Sequence, residues 1–259
     1  MHTRPVEVPG ASSGIAAVSA GYKHICVVTT GGAARCWGVN DHGQLGDGTT
    51  EERPTPVDVT GLGSGVAAIT AGDGYTCALL TTGAARCWGN NADGQLGDGT
   101  TDQRLAPVAV SALGSTVTSI AAAWWHACAI TTQGAVHCWG QNKYGELGGE
   151  PTAPKLAPSA VPGLEAGYTS VRPGKRYTCA LGPHPLLEQQ RIRLPRGPRR
   201  PRGHPGPMSL AARSQPPGVR TAPLVEVIRR RYPSNLATAC SPGSALPRGD
   251  GLNPPHTAG

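Results

Sequence analysis

The stretch from Arg86-Cys87-Trp88-Gly89 through Gly94-Gln95-Leu96-Gly97-Asp98-Gly99-Thr100 constrains this chain more than any other, because it recurs without a gap. Moving 51 residues toward the N-terminus lands on Arg35-Cys36-Trp37-Gly38 and Gly43-Gln44-Leu45-Gly46-Asp47-Gly48-Thr49. Moving 51 the other way lands on His137-Cys138-Trp139-Gly140 and Gly145-Glu146-Leu147-Gly148. Repetition at a fixed period means an array in which each unit buries its apolar face against its neighbours, and a period of about 50 is that of propeller blades and related arrays.

Each unit reads as four short strands separated by Gly, Asp, Asn and Ser clusters, at 56–59, 66–70, 75–80 and 84–88 in the second unit. Residues 1–181 hold no sustained 3.6-residue apolar period, so the expectation is all-β. The Gly-bearing segments 29–32, 81–83 and 131–134 lie midway between paired cysteines and predict hairpins. That centring sets Cys26 opposite Cys36, Cys77 opposite Cys87 and Cys128 opposite Cys138. Opposed residues of antiparallel strands lie roughly 4.5 to 5.5 Å apart at Cα, within disulfide range. Three intra-blade disulfides are therefore permitted, and free buried thiols are the alternative. C-x9-C is not a spacing that closes a tetrahedral zinc site, and no His recurs with it. Cys179 begins a fourth pair that is not completed in register, and Cys240 stands apart from the repeat.

The formal charge of +7 is unevenly placed. Residues 1–181 carry 11 Lys+Arg against 13 Asp+Glu, a balance of −2, and residues 182–259 carry 12 Arg against 3 acids, a balance of +9. The repeat register ends at Leu181: the next unit's Gly, Cys and Trp positions hold Pro185, Gln189 and Gln190. Beyond it come 15 Pro in 78 residues, a composition that predicts disorder, with one short helix expected at 224–231. Loss of register inside a hairpin is what a reading-frame shift or a mispredicted gene end would produce; a solvated tail and a nonspecific phosphate-binding arm are the other readings. The expected domains are thus 1–181, a repeat array, and 182–259, a Pro/Arg-rich tail.

The motif set Ala-Gly-x-x-[His/Tyr]-x-Cys, Gly-x-x-[Arg/His]-Cys-Trp-Gly and Gly-Gln-Leu-Gly-Asp-Gly-Thr resembles the regulator of chromosome condensation repeat, in the cysteine-bearing version found in bacteria. The match covers residues 5–181, about three and a half units. The resemblance implies blades of a β-propeller, seven in known members, so a partial array here is expected to form an open arc, to close imperfectly or to be only marginally stable. Counting strands by phase predicts groups of four, four, four and three.

The recurring Gly-rich loop reads as scaffold: Leu45, Leu96 and Leu147 tuck it onto the blade, Trp37, Trp88 and Trp139 fill space between blades, and Asp47 and Asp98 stabilise its turn rather than bind calcium. His24 and His126 share a position with Tyr75 and Tyr177, which suits a partly buried ring offering one hydrogen bond better than a metal ligand. The informative positions are those that do not repeat. After Gly21, Gly72, Ala123 and Gly174 come Tyr22-Lys23, Asp73-Gly74, Trp124-Trp125 and Lys175-Arg176, on a loop expected at one face. Tyr22, Lys23, Asp73, Trp124, Trp125, Lys175 and Arg176 are the candidate partner-binding residues. For Trp124 and Trp125, packing between blades is the competing role.

No nucleophile elbow, P-loop, His-Glu-x-x-His or dinucleotide fingerprint is present, so no enzyme, metal or cofactor is expected. The reading is a non-enzymatic scaffold for protein binding, with nucleic acid disfavoured by the −2 balance of the array. Guanine-nucleotide exchange on a small GTPase and inhibition of a secreted enzyme are alternatives that the resemblance implies. Paired cysteines point to an exported or cell-surface protein, although no signal-peptide core and no membrane span is visible.

Overall fold

The computed structural model describes residues 7–11, 14–182 and 224–228. All its regular structure is strand. The first sheet holds β1 (Ile15–Ala20), β2 (His24–Thr29), β3 (Ala34–Gly38) and β4 (Arg53–Asp58) in that order. The second holds β5 (Val66–Ala71), β6 (Tyr75–Leu80), β7 (Ala85–Gly89) and β8 (Arg104–Ala109). The third holds β9 (Val117–Ala122), β10 (His126–Thr131), β11 (Val136–Gly140) and β12 (Lys155–Ala160). A three-stranded sheet of β13 (Ser170–Pro173), β14 (Thr178–Gly182) and β15 (Leu224–Ile228) follows. Every pairing is antiparallel. The array is open, one of the outcomes expected of a partial set of blades.

Two expectations are corrected. The Pro-Val strand, placed first in each unit by phase, is the fourth strand of the preceding sheet: Cys36 pairs with Val57 and Cys87 with Val108. At the start of the array Glu7 and Val8 lie in no strand. The segment expected as a short helix at 224–231 is instead a strand where it is described, with Thr178 opposite Ile228 and Gly182 opposite Leu224. Five residues rich in Val and Ile suit the exposed edge of β14 better than an isolated turn of helix. The 4, 4, 4 and 3 strand count thus holds with different members.

The hydrophobic core lies between sheets. Cys26, Val28, Cys36, Leu45, Val59 and Leu62 of the first sheet and its loop meet Val66, Ile69, Ala78 and Trp88 of the second. The same positions recur between second and third sheets, with Leu96 and Leu113 against Val117, Ile120 and Trp139. They recur again between third and fourth, with Leu147 and Leu164 against Tyr168 and Val171. Three disulfides, Cys26–Cys36, Cys77–Cys87 and Cys128–Cys138, join directly opposed residues of the central hairpins, with Cα atoms 4.1 Å apart. Closing so short a loop stabilises each hairpin by about 2 to 3 kcal/mol in the chain-entropy model. No cysteine among the described residues is free.

Ala112 takes φ 59°, where the equivalent Gly61 and Gly163 take 71° and 84°. This is the one described non-Gly residue in the left-handed region, and the strain comes from the backbone alone, since a Cβ at Gly61 or Gly163 would meet nothing.

Candidate functional site

The Gly-rich loop is built from buried polar groups. Asn40, Asn91 and Asn142 are each almost fully buried, and their Oδ1 atoms accept from the N–H of Leu45, Leu96 and Leu147 at 3.0 to 3.1 Å. Asn91 Nδ2 donates to the carbonyls of Thr100 and Asp102, both at 3.0 Å. Asp98 accepts from the Thr100 N–H and hydroxyl at 3.0 and 2.7 Å and from Arg104 Nε at 2.9 Å; Asp47 does the same with Thr49 and Arg53. Burial pushes both carboxyls up, but the bonds from Thr, Arg and Asn outweigh it and hold them below the usual value. In the third loop Gly149 replaces the Asp and Lys155 the Arg, so both partners of the pair change together.

Each loop also locks onto the next sheet. Trp88 Nε1 and the Thr76 hydroxyl both donate to the Gln44 carbonyl at 2.9 Å, and Trp139 Nε1 donates to the Gln95 carbonyl at 2.9 Å. A Cβ on Gly46 would come within 2.6 Å of Trp88 Nε1, and one on Gly97 within 2.7 Å of Trp139 Nε1, so the ring demands glycine there. The faithfully repeated residues therefore serve assembly of one sheet on another.

The variable dipeptides occupy the turns between the first two strands of each sheet. Neighbouring turns are bonded in series, Tyr22 N–H to the Gly72 carbonyl at 3.3 Å and Asp73 N–H to the Trp124 carbonyl at 3.2 Å. The loops that follow each third strand start beside them, with Val39, Asn90 and Gln141 N–H bonded to the carbonyls of Lys23, Gly74 and Trp125. Turns and loops thus form one face.

On that face the structure brings the sequence candidates together. The Tyr22 and Trp124 rings, from the first and third sheets, lie 5.5 Å apart across the Asp73-Gly74 turn, and Trp125 meets Trp124 edge-on at 5.4 Å. Lys175 Nζ sits 3.9 Å above the Trp124 ring. Arg176 turns to Tyr144, its guanidinium 4.3 Å from the ring, and Lys23 lies over Tyr22 at 5.6 Å. Tyr22, Lys23, Lys175 and Arg176 are exposed; Asp73, Trp124 and Trp125 are half-buried. The packing role and the exposed role of the tryptophans are thus combined.

Sequence reasoning missed Lys143 and Tyr144, with Lys143 Nζ 5.8 Å from the Tyr144 ring. Their equivalents are Asp41-His42 and Ala92-Asp93, so the same lack of repetition marks them. An open cleft of about 390 Å³ lined by Asp93, Gln141, Lys143, Pro151, Thr152 and Pro154 flanks this edge of the face. Among the described residues no three His, Cys, Asp or Glu side chains group to hold a metal, and no helix is long and apolar enough to cross a membrane. What the face offers chemically is aromatic surface and cations held over it.

The profile of the regulator of chromosome condensation (RCC1) repeat matches residues 32–79, 83–130 and 133–181, and a second profile of the same description matches 15–44, 66–95 and 117–146. The ultraviolet-B receptor UVR8 of Arabidopsis thaliana is 32% identical over 168 residues, which cover 63% of this chain and 38% of that protein. The probable E3 ubiquitin-protein ligase HERC4 of Homo sapiens is 33% identical over 173 residues, 65% of this chain and 16% of that one. The chain therefore spans well under half of either relative. Yeast RCC1 (Prp20), solved bound to Kap60, superposes with a TM-score of 0.59 at 23% identity, over 68% of this chain and 43% of its own. Human WBSCR16 gives 0.56 at 26% identity, over 64% and 45%.

Proposed function

The chain belongs to the regulator of chromosome condensation repeat family, and from that membership we propose that residues 1–181 are a non-enzymatic protein-binding scaffold whose partner docks on the face carrying Tyr22, Trp124, Trp125, Lys175 and Arg176. One observation carries this reading. Residues that repeat are consumed in packing one sheet on the next, while residues that differ converge on a single face and present aromatic and cationic groups. Rigid scaffolds with variable loops are built for recognition, and Trp, Tyr and Arg are the side chains that most often anchor interfaces. The yeast neighbours lend support: one was solved bound to Kap60, another studied for binding Gsp1p and histones. Three cross-strand disulfides favour maturation in an oxidising compartment. Residues 182–259 are read as a Pro/Arg-rich tail appended to the array, with 224–228 returning to pair with β14.

The test is affinity capture with the full chain, its Trp124→Ala/Trp125→Ala variant and its Lys175→Gln variant, each first shown by near-ultraviolet circular dichroism to keep its fold. A protein retained by the parent and lost by both variants is expected. Retention of the same proteins by both variants would refute the assignment of the face. Capture of a small GTPase, dependent on the same residues, would move the reading to nucleotide exchange.

A further inference from the structure

We propose that the part of this face formed by Trp124-Trp125, Lys143-Tyr144 and Lys175-Arg176 binds an acidic peptide segment of the partner protein. The proposal rests on the reading of this face as the docking surface. Three of the four lysines of the chain, Lys23, Lys143 and Lys175, lie on it. Elsewhere three of the five other described arginines find carboxylates: Arg35 pairs with Asp58, Arg53 with Asp47 and Glu51, and Arg104 with Asp98 and Asp102, while Arg86, Arg172 and Lys155 stand exposed with neither a carboxylate nor a ring of the described residues beside them. On the face, Lys23, Lys143, Lys175 and Arg176 form no ion pair among the described residues and are held over rings instead. A cation fixed over an aromatic face is partly desolvated and oriented before a ligand arrives, with its remaining N–H groups turned outward. Carboxylate is a group that such donors hold well, bidentately in the case of a guanidinium.

The acids that face this patch do not fill it. Asp73 stands half-buried in the neighbouring turn, Asp93 Oδ2 already accepts from Gln141 Nε2 at 3.1 Å, and the buried Glu146 Oε2 accepts from the Tyr144 N–H at 2.6 Å. A nucleic acid fits less well. Bases would have to displace Lys175 and Arg176 from the ring faces in order to stack, and the array as a whole, at −2 with these cations included, disfavours an extended polyanion. A short peptide needs only the patch and the neighbouring Tyr22: its acids meet the cations, and its apolar side chains meet the exposed part of Tyr22 and the half-buried Trp124 and Trp125.

The experiment selects binders to the full chain from a random library of 12-residue displayed peptides and measures the synthesised winners by fluorescence anisotropy. Expected are peptides enriched in Asp and Glu, whose affinity falls at least tenfold on Lys175→Gln/Arg176→Gln or when the peptide acids become Asn and Gln, and is unchanged by Arg86→Gln, at an exposed position of β7. Lys175 and Arg176 are solvent-exposed, so their replacement leaves the sheet packing intact. Winners without acidic enrichment would overturn the proposal. So would acidic winners that bind the double variant equally well, as they would if the 12 arginines of residues 182–259 held them. Tighter binding of a 12-nucleotide oligo(dT), lost in the double variant, would assign the patch to nucleic acid and overturn it too. If acidic peptides fail while capture still depends on Trp124 and Trp125, this proposal falls and the scaffold reading stands.

Discussion

At the residue scale, the alternating His/Tyr position identified in the sequence is a buried hydrogen-bonding column, and its tautomer follows from its neighbour. The Thr76 hydroxyl donates to the Gln44 carbonyl, so its oxygen accepts from His24 Nε2–H at 2.8 Å; His126 and Thr178 repeat the arrangement at 2.9 Å, with Thr178 donating to the Glu146 carbonyl. Both Nδ1 atoms are buried without a partner. Burial therefore pushes both imidazoles down to about 4 from 6.5. Between those values the unfolded chain binds protons that the folded one does not, so stability is complete above pH 6.5 and falls as the pH drops toward 4, on the order of 3 kcal/mol for each ring at most. Urea-unfolding midpoints across that window are expected to fall with decreasing pH and to flatten in a His24→Gln/His126→Gln variant; an unchanged slope in the variant would contradict the assignment. Asp47 and Asp98 add a separate loss only below the usual carboxylate range, because their folded carboxyls are held down. The ring position was visible in the sequence as a residue that alternates. Its partner was not, because Thr76 lies 52 residues away and nothing local marks it as the acceptor.

At the element scale, a repeat reveals its period but not where one sheet stops. Translation by 51 residues is satisfied by any cut, which is why the strand at 53–58 was grouped with the sheet after it although its backbone pairs with β3. Disulfide register was legible because hairpin centring is local, and β15 was missed because long-range pairing with β14 overrides a weak local preference. The contacts between sheets carry a second alternation. His24 and His126 face Thr76 and Thr178, whereas Tyr75, with its longer reach, donates to the His126 carbonyl at 2.5 Å and faces Ala127 at the Thr position. Gly21 and Gly72 leave the same room beside either ring. Thr76→Ala alone should cost about 1 to 3 kcal/mol by stranding His24 Nε2–H in a buried site. Adding His24→Tyr should recover part of that loss, because the pair then matches Tyr75 with Ala127. A double-mutant cycle by chemical denaturation is expected to show coupling of about 1 kcal/mol or more; simple additivity would mean that the two positions do not read each other.

At the scale of the whole molecule, the first sheet differs in burial from those that follow it. The positions that Ile69, Ile120 and Val171 bury against a preceding sheet are held in the first sheet by Val18, which is 69% exposed, and Trp37 is only half-buried where Trp88 and Trp139 are fully enclosed. The sequence could not show this, since Val18 and Trp37 obey the repeat as faithfully as their counterparts; burial depends on what lies alongside, not on the residue. By contrast the residues of the proposed docking face were legible as positions where the units disagree, except Lys143 and Tyr144, which lie inside a loop otherwise dominated by repetition. In a linear array each added interface contributes nearly independently. A variant in which a copy of residues 66–116 replaces residues 1–14, joining Thr116 to Ile15 in register, should set the carbonyl of the added Gln95 against Trp37 Nε1 and the added Leu96 against Val18. The gain expected from enclosing the two side chains is on the order of a few kcal/mol. It should be read as a higher denaturation midpoint and a blue-shifted tryptophan emission that a Trp37→Phe version of the same fusion lacks. A midpoint at or below that of the parent would show that the exposed face of β1 is not an unfilled copy of the interface that joins the other sheets.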